Sequence, residues 1–303
     1  MLLVGPPEVA DELLAARGAA GRLEVVAASE SVDMADDPVR AVRAKRDATV
    51  RVANRLVRDG LADAAVSAGS TGAFVVAAVF TLGRMPGVTR PSIAVTVPAA
   101  HGPVVLVDAG ANVECSPDLL VQFALCGAAY AATHYGLAEP RVGLLCNGTE
   151  PGKGDQLRRE AATALAGQPF KFVGYVESAA VTSGDAADVV VTDGFTGNVL
   201  LKGLEGMHSL ARTVLRRDVA DPADALAALE PFGPDSLGGG ILLGVPGTVV
   251  VAHGASGPEA VAACVRLAAD AVRNRVVPLV AEAMEGLVAR RRTEAGLAGA
   301  APQ

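Results

Sequence analysis

The chain has 303 residues, a formal net charge of −7 and 51% hydrophobic residues, but only 3% aromatic residues and no Trp. The negative charge and the scarcity of aromatic rings argue against binding nucleic acid, and the charge also disfavours bulk attraction to anionic lipid. The four Cys lack metal-ligand spacing, and we find no secretory signal and no membrane-spanning stretch. We therefore expect a cytoplasmic protein with buried free thiols, no metal and no cofactor.

Short β-branched runs alternate with amphipathic patterns along the whole chain, which predicts a three-layer α/β/α sandwich with a mostly parallel sheet. A break near Asp47 is expected inside the second helical region. The predicted strands are 2–4, 23–27, 64–67, 93–97, 104–107, 142–146, 170–176, 189–191, 241–243 and 248–251, and the predicted helices are 7–17, 38–58, 73–82, 116–135, 156–165, 198–217 and 258–290. We expect one domain over 1–290, with an excursion containing a short helix at about 218–237, and a disordered tail over 291–303.

Four turns combine Gly with Asn, Ser, Thr or Lys directly after a predicted strand. In an open α/β sheet, ligands bind at the carboxyl ends of the strands, where backbone N–H groups and helix N-termini hold anions. We therefore expect the four turns to converge on a pocket for a small anion. They are 67–72, 108–113, 147–154 and 193–198.

Several separated motifs resemble, in their order, those of the bacterial phosphate acyltransferase family called PlsX, and the resemblance covers nearly the whole chain. The motifs are Glu30-Ser31-Val32-Asp33-Met34 with Asp37-Pro38-Val39-Arg40, the turn 67–72, the turn 108–113 with Gln122-Phe123-Ala124, Gly152-Lys153-Gly154, the turn 193–198 with Lys202, Glu205 and Gly206, and 239–244 with His253-Gly254-Ala255-Ser256.

The resemblance implies an enzyme that transfers a fatty acyl group from acyl carrier protein to inorganic phosphate and forms acyl phosphate for phospholipid synthesis. It implies a homodimer with an α/β fold related to phosphotransacetylases and decarboxylating dehydrogenases. Peripheral contact with the membrane and a downstream glycerol-phosphate acyltransferase as a partner are implied as well. In the family, an insertion comparable to the 218–237 excursion contacts lipid, and here Leu226, Leu229, Phe232 and Leu237 lie in it.

The residues of the turns suit that chemistry, because phosphate is itself the nucleophile and needs a cradle and an oxyanion donor, not a metal. Two groups of candidates follow. The candidate catalytic residues are Lys153, Asn198, Lys202 and His253, and the candidate phosphate-binding residues are Gly69, Ser70, Thr71, Gly72, Asn112 and Gly197. For the Asn residues a turn-forming role stays open, and for His253 a structural role stays open beside that of a proton donor.

Arg51, Arg55 and Arg58 fall on one helix face, downstream of a further run of basic residues. This face is either an ordinary solvated surface or a docking site for the acidic acyl carrier protein.

Two other functions remain open, and the sequence departs from the family pattern at Ser70, Ala48 and Pro246. One is a phosphotransacetylase that acts on short acyl-coenzyme A thioesters. The other is a non-catalytic paralogue that binds acyl carrier protein as a scaffold. No sequence feature excludes the first function, and the departures at Ser70 and Ala48 favour the second.

The start of the chain also departs from the family, whose members begin with a strand and a Gly-rich turn that precede the strand matched here by 1–5. A missing interior strand would expose unpaired backbone on its neighbour. We expect either an initiation codon further upstream or a weakened or non-catalytic form of the enzyme.

Overall fold

The computed structural model describes residues 1–233, 239–252 and 257–299. Its strands are β1 Leu2–Gly5, β2 Glu24–Ala27, β3 Ala64–Ser67, β4 Ser92–Val97, β5 Val104–Val107, β6 Arg141–Leu145, β7 Lys171–Val176, β8 Val189–Val191, β9 Gly240–Leu243 and β10 Thr248–Val251. Its helices are α1 Pro7–Ala16, α2 Pro38–Ala44, α3 Thr49–Arg58, α4 Thr71–Leu82, α5 Pro117–Tyr135, α6 Gln156–Ala166, α7 Ser178–Ser183, α8 Gly194–Asp218, α9 Ala223–Leu229, α10 Pro258–Arg273 and α11 Val276–Gly299.

Eight strands form one sheet in the order β3-β10-β9-β4-β5-β8-β6-β7. Helices α5, α6, α10 and α11 supply the large apolar cluster on one face, and α2, α3, α4, α7 and α8 cover the other face. Because the central strands β4, β5, β8 and β9 are buried on both faces, they consist mainly of Val, Leu, Ile and Ala without alternation. The predicted three-layer sandwich is confirmed.

The sheet is mostly parallel, with four parallel pairings among seven, and its antiparallel pairings are β10–β9, β9–β4 and β4–β5. These pairings make β3 and β10 run opposite to β5, β8, β6 and β7. The prediction that all four Gly-containing turns lie at one edge of the sheet is therefore wrong. The turn after β3 leaves one edge, and the turns after β5, β6 and β8 leave the opposite edge.

The helices differ from the predicted ones in several places, and α7 was not predicted at all. The turn 193–198 is already helical, since α8 begins at Gly194. The long final helix is two helices, α10 and α11, and the chain changes direction at Arg275, which has a φ of 56°. The second of these continues to Gly299, so the part of the predicted disordered tail that the structure describes is helical. The expected break near Asp47 is confirmed by the gap between α2 and α3.

The first 27 residues form a small unit of their own. Strands β1 and β2 pair in parallel as a separate two-stranded sheet, while β3 is an edge strand of the large sheet. Helix α3 packs against both β1 and β3, which sets the two sheets side by side.

Candidate active site

A cavity of about 290 Å³ lies on one face of the large sheet, between the N-terminus of α4 and the first half of α8. Its floor is apolar and is formed by strand side chains, and its rim is polar. Floor and rim together comprise Thr71, Ile93, Val95, Ala109, Gly110, Asn198, Leu201, Lys202, Glu205, Gly239, Gly240, Val251, Ala252 and Ala260. A concave site with an apolar body and a few polar groups is typical of small-molecule binding.

The turn after β5 is organised by one buried carboxylate. Asp108 is fully buried, and its Oδ1 accepts hydrogen bonds from the N–H groups of Ile93 (2.9 Å), Gly110 (3.2 Å) and Ala111 (3.1 Å). Burial raises the pKa of this carboxyl, although the hydrogen bonds from Ile93, Ala111 and Asn112 oppose the shift. The carboxylate fixes the path of the turn that brings Ala109 and Gly110 to the cavity.

Asn112 belongs to the same turn and acts as its anchor. Its Nδ2 donates to the Pro91 carbonyl (2.8 Å) and to Asp108 Oδ2 (2.9 Å), and its backbone N–H donates to Asp108 Oδ2 (2.7 Å). Both amide hydrogens are thus used inside the protein, and Asn112 does not belong to the described lining of the cavity. The geometry favours the turn-forming role that the sequence left open.

Helix α8 packs directly against this turn, and glycines make the approach possible. A Cβ atom on Gly194 would lie 2.7 Å from the Asn112 carbonyl oxygen, and one on Gly197 would meet Asp108 more closely still. The Gly197 N–H donates to the Asp193 carbonyl oxygen (2.9 Å), as in a regular helix. The prediction that Gly197 offers its N–H to phosphate is therefore wrong; its small size is what the structure uses.

The start of α8 is held by a buried ion pair. The Asp193 side chain caps the helix, with Oδ1 accepting from the Thr196 N–H (2.8 Å), and Arg158 of α6 donates to its Oδ2. Burial would raise the pKa of Asp193, but the hydrogen bonds from Thr196 and Arg158 outweigh it and lower that pKa below its usual value. Asp193 is 6% exposed, so α6 and α8 are locked together at this end of the sheet.

The polar rim of the cavity comes mostly from one face of α8. Lys202 Nζ pairs with Glu205 Oε2 at 2.7 Å, one helical turn apart. Asn198 contacts Gly110, whose added Cβ would lie 3.5 Å from the Asn198 Cβ. Within the described part of the chain, the Asn198 carboxamide makes no intramolecular hydrogen bond, so both its donor and its acceptor are available to a ligand.

The turn after β3 reaches the cavity through Thr71 alone. Ser70 caps α4 by accepting from the Ala73 N–H (3.4 Å), Gly69 donates to Ser67 Oγ (3.2 Å), and a Cβ on Gly72 would contact Pro38. Thr71, the first residue of α4, lines the cavity. The positive end of this helix therefore faces the site.

Lys153 lies on the loop after β6 and does not belong to the described lining of the cavity. It is flanked by Gly152 (φ 89°) and Gly154 (φ 82°), a conformation that only glycine adopts without strain. The Gly154 N–H donates to Asn147 Oδ1 (3.0 Å), which folds the loop back on the end of β6. His253, the other candidate proton donor, lies outside the described residues.

A family model described as "Fatty acid synthesis protein" matches residues 1–279. A protein of Desulfitobacterium hafniense (strain Y51) named "Phosphate acyltransferase" is 40% identical over 285 residues, which cover 90% of this chain and 85% of the relative. One of the same name from Anaeromyxobacter sp. (strain Fw109-5) is 42% identical over 315 aligned positions, covering 100% of this chain and 88% of the relative. The chain belongs to the phosphate acyltransferase family.

This membership confirms the resemblance found in the sequence motifs. Solved structures with the same fold include the EutD phosphotransacetylase from Staphylococcus aureus, with a TM-score of 0.54 and 17% identity, covering 93% of this chain and 86% of that one. A branched-chain phosphotransacylase from Enterococcus faecalis V583 has a TM-score of 0.53 and 17% identity, covering 89% and 98%. The predicted relation in fold to phosphotransacetylases is thereby confirmed.

The acyltransferase has a second concave surface, which we call the basic groove, of about 590 Å³. It is lined by Arg43, Arg46, Arg51, Arg55, Arg58 and Phe80. The guanidinium of Arg43 stacks over the Phe80 ring at 5.3 Å from its centroid. The structure thus brings the three predicted docking arginines into one groove and adds two more.

Two residues that matter for the acyltransferase site are absent from the candidates chosen from the sequence, although Glu205 belongs to one of the family motifs. Glu205 follows Lys202 by three residues, and this spacing alone signals that the two side chains meet on a helix. Arg158 lies in the first turn of α6, where the helix dipole disfavours a cation. There it pairs with Asp155, the N-cap of its own helix, at 2.8 Å, and also with Asp193 of α8. No local pattern signals this second partner.

Two further observations concern the described residues only. Among them, no cluster of three or more His, Cys, Asp or Glu side chains has the arrangement needed to hold a metal ion. None of the helices found in this part of the acyltransferase combines the length and apolarity required to cross a membrane.

Proposed function

We propose that this phosphate acyltransferase family member transfers an acyl group from a thioester to inorganic phosphate in the cavity between α4 and α8. The observation that carries the proposal is the shared rim, where the Lys202 ammonium, the unpaired Asn198 carboxamide and the first turn of α4 surround an apolar floor. Together they provide charge, hydrogen-bond donors and an apolar surface within one small site.

In the proposed reaction a phosphate oxygen attacks the thioester carbonyl carbon and forms a tetrahedral oxyanion. The C–S bond then breaks, the thiolate leaves, and the proton lost from the phosphate hydroxyl neutralises it. Phosphate is the nucleophile, so the protein supplies position and electrostatic stabilisation. Lys202 neutralises the phosphate charge, and Asn198 donates to the developing oxyanion.

Lys153 acts in this proposal as a second cation that approaches when substrates are bound. Its loop starts at the end of β6, which pairs with β8, and the helix that follows the loop holds Asp193 through Arg158. Two flanking glycines with positive φ allow the loop to change its path.

Acyl carrier protein is the proposed acyl donor, and the basic groove supports this choice. Thr71 begins α4 and Phe80 lies in its last turn, so the cavity and the groove are about 14 Å apart along that helix. An acidic carrier bound at the groove would present its thioester to the cavity on an extended arm. The apolar floor, with Ile93, Val95 and Val251, would hold the start of a fatty acyl chain.

A homodimer is proposed from the outer face of α8. Five large apolar side chains on this face are exposed, at spacings of three or four residues or multiples of them, which place them on one side of the helix. Between them, Gly203 and Gly206 have nothing within 4 Å of an added Cβ, so a second helix can approach closely. We call this surface the α8 stripe; its apolar residues are Phe195, Val199, Met207, Leu210 and Val214.

Shallow peripheral contact with a membrane is proposed for the excursion after α8. Phe232 is 47% exposed, whereas Leu226 and Leu229 are half-buried on a helix that packs against α8. Leu237 lies outside the described residues. Phe232 is thus the residue whose replacement by Asp should weaken vesicle binding in a flotation assay without disturbing packing.

The reaction is tested by incubating the protein with phosphate and either an acyl-carrier-protein or an acyl-coenzyme A thioester, and trapping acyl phosphate with hydroxylamine. We expect phosphate-dependent hydroxamate, formed faster from the carrier thioester. Equal or faster reaction with a short acyl-coenzyme A would instead support a phosphotransacetylase. Carrier binding without any acyl phosphate would support a scaffold.

A further inference from the structure

The Lys202–Glu205 pair determines the charge of the cavity. The two side chains lie one turn apart on α8, with 2.7 Å between Nζ and Oε2, and both belong to the cavity lining. The remaining described residues of the lining carry no charge. The Glu205 side chain is 24% exposed and the Lys202 side chain 41%, so the carboxylate is the deeper of the two.

A carboxylate in this position restricts which anions can use Lys202. An anion that binds the ammonium comes within a few ångströms of Glu205, and like charges at that distance repel strongly in a partly dehydrated site. An ionised carboxylate is also only a hydrogen-bond acceptor. An anion without a proton is therefore repelled by the charge of Glu205. It also cannot form a hydrogen bond with that carboxylate, because both groups are only acceptors.

Phosphate can bind beside the Glu205 carboxylate because at neutral pH it still carries at least one hydroxyl group. That hydroxyl can donate to Glu205 while the other oxygens accept from Lys202 and Asn198. Sulfate has the same size and shape but no proton to donate. The other carboxylates nearby, Asp108 and Asp193, already accept hydrogen bonds from the protein.

We infer that Glu205 is a specificity-determining residue that accepts a hydrogen bond from the phosphate hydroxyl and rejects fully deprotonated tetrahedral anions. The inference rests on the proposed function, which puts phosphate in this cavity. It adds that the site distinguishes phosphate from sulfate, and that the Lys202–Glu205 pair opens to admit the protonated anion.

The test is a calorimetric titration of the full chain with sodium phosphate and with sodium sulfate at constant ionic strength. The parent protein should bind phosphate at least tenfold more tightly than sulfate. In Glu205→Gln the preference should fall close to onefold, mainly through a gain in sulfate affinity, because the Gln amide can donate to sulfate. Glu205→Asp keeps a carboxylate and should keep most of the preference.

Glu139→Gln serves as the control, since Glu139 is exposed and remote from the lining, and it should bind both anions as the parent does. Equal affinities of the parent for phosphate and sulfate would overturn the inference, as would an unchanged preference in Glu205→Gln. In both cases phosphate still binds, so the proposed function stands. If the parent binds neither phosphate nor sulfate, both the inference about Glu205 and the proposed function are overturned.

Discussion

A Cβ atom built on Gly197 would lie 2.0 Å from the carbonyl oxygen of Asp108. No side chain fits at such a separation, so the first turn of α8 and the turn after β5 touch backbone to backbone. This contact sets the position of Asn198, the next residue along the helix, against Gly110 in the cavity.

We therefore expect Gly197→Ala to lower the free energy of unfolding by about 3 kcal/mol or more, since overpacking against backbone cannot relax easily. The measurement is chemical denaturation. Gly286→Ala is the matched control, because its added Cβ meets only the end of the Arg290 side chain at 3.4 Å. A helical Gly→Ala change of this kind should be neutral or stabilising by up to about 1 kcal/mol. Equal stability of the two variants would contradict the steric argument.

The Asp193–Arg158 pair predicts a pH dependence of stability. The folded-state pKa of Asp193 is lowered, so its stabilisation is present above the unfolded pKa of about 3.9 and is lost as the pH falls through the folded pKa. Asp193→Asn retains an N-cap but removes the charge, and should cost about 1–3 kcal/mol at pH 7. Denaturation curves at pH 7 and below pH 3 should show the difference from the parent shrinking in acid. A constant difference would refute the ionic contribution.

Lys202 and Lys153 should both contribute to the reaction, but only Lys202 should contribute to the binding of free phosphate. Replacing either lysine by Ala should remove at least about 2 kcal/mol of transition-state stabilisation in acyl-phosphate synthesis, as removing an oxyanion donor does. Only Lys202→Ala should also weaken the binding of phosphate alone, because only Lys202 lines the cavity. Steady-state kinetics and calorimetry separate the two effects. Unchanged acyl-phosphate synthesis in both variants would contradict the proposal that these two lysines stabilise the bound phosphate.

The basic groove should determine how tightly the carrier protein binds and should have little effect on the reaction of the thioester itself. Reversing the charge of Arg46 and Arg58, whose side chains are both exposed, should raise KM for an acyl-carrier-protein substrate and flatten its dependence on salt. An acyl-coenzyme A substrate should be affected much less. Arg22→Glu, an exposed site outside the groove, is the control. Equal effects on both substrates would contradict the proposal that the basic groove binds the carrier protein.

The α8 stripe should determine the oligomeric state. Leu210, 54% exposed, lies on the stripe, and Leu210→Asp should convert a dimer into a monomer because the charge would be buried at the contact. Leu13→Asp on α1 provides a control of similar exposure (50%) away from the stripe and should leave the dimer intact. Sedimentation velocity distinguishes the species. A parent protein that is already monomeric would reject the proposal.

Local pattern was sufficient for most of the fold. Strands β3, β4, β5 and β10 lie where their β-branched runs predicted them, and Asp37, Ser116 and Asp155 cap their helices as short polar side chains do. Periodicity and capping depend on neighbours in the sequence, so they can be read without the structure. The motifs were likewise enough to predict the family.

The direction of each strand in the sheet required the tertiary structure. Hydrophobic runs are the same whether a buried strand runs up or down. The antiparallel pairings of β9, β4 and β5 make three strands, β3, β10 and β4, run opposite to the other five. The sequence therefore suggested that all four Gly-containing turns lie at one edge of the sheet, whereas they lie at two opposite edges. The same limit explains Asn112, whose residue type suits a ligand and a turn anchor equally until its partners, Pro91 and Asp108, are known.

The sequence by itself determined most of the elements, the three-layer class, the family and the presence of Lys202 and Asn198 on one helix, because each of these depends on residue type and spacing along the chain. The tertiary structure alone decided that Gly197 serves packing, that Arg158 holds Asp193, and that Glu205 shares the cavity with Thr71 and Val251. These contacts join residues tens to more than a hundred positions apart. Long-range packing of the sheet and helices, which no local pattern encodes, brings them together.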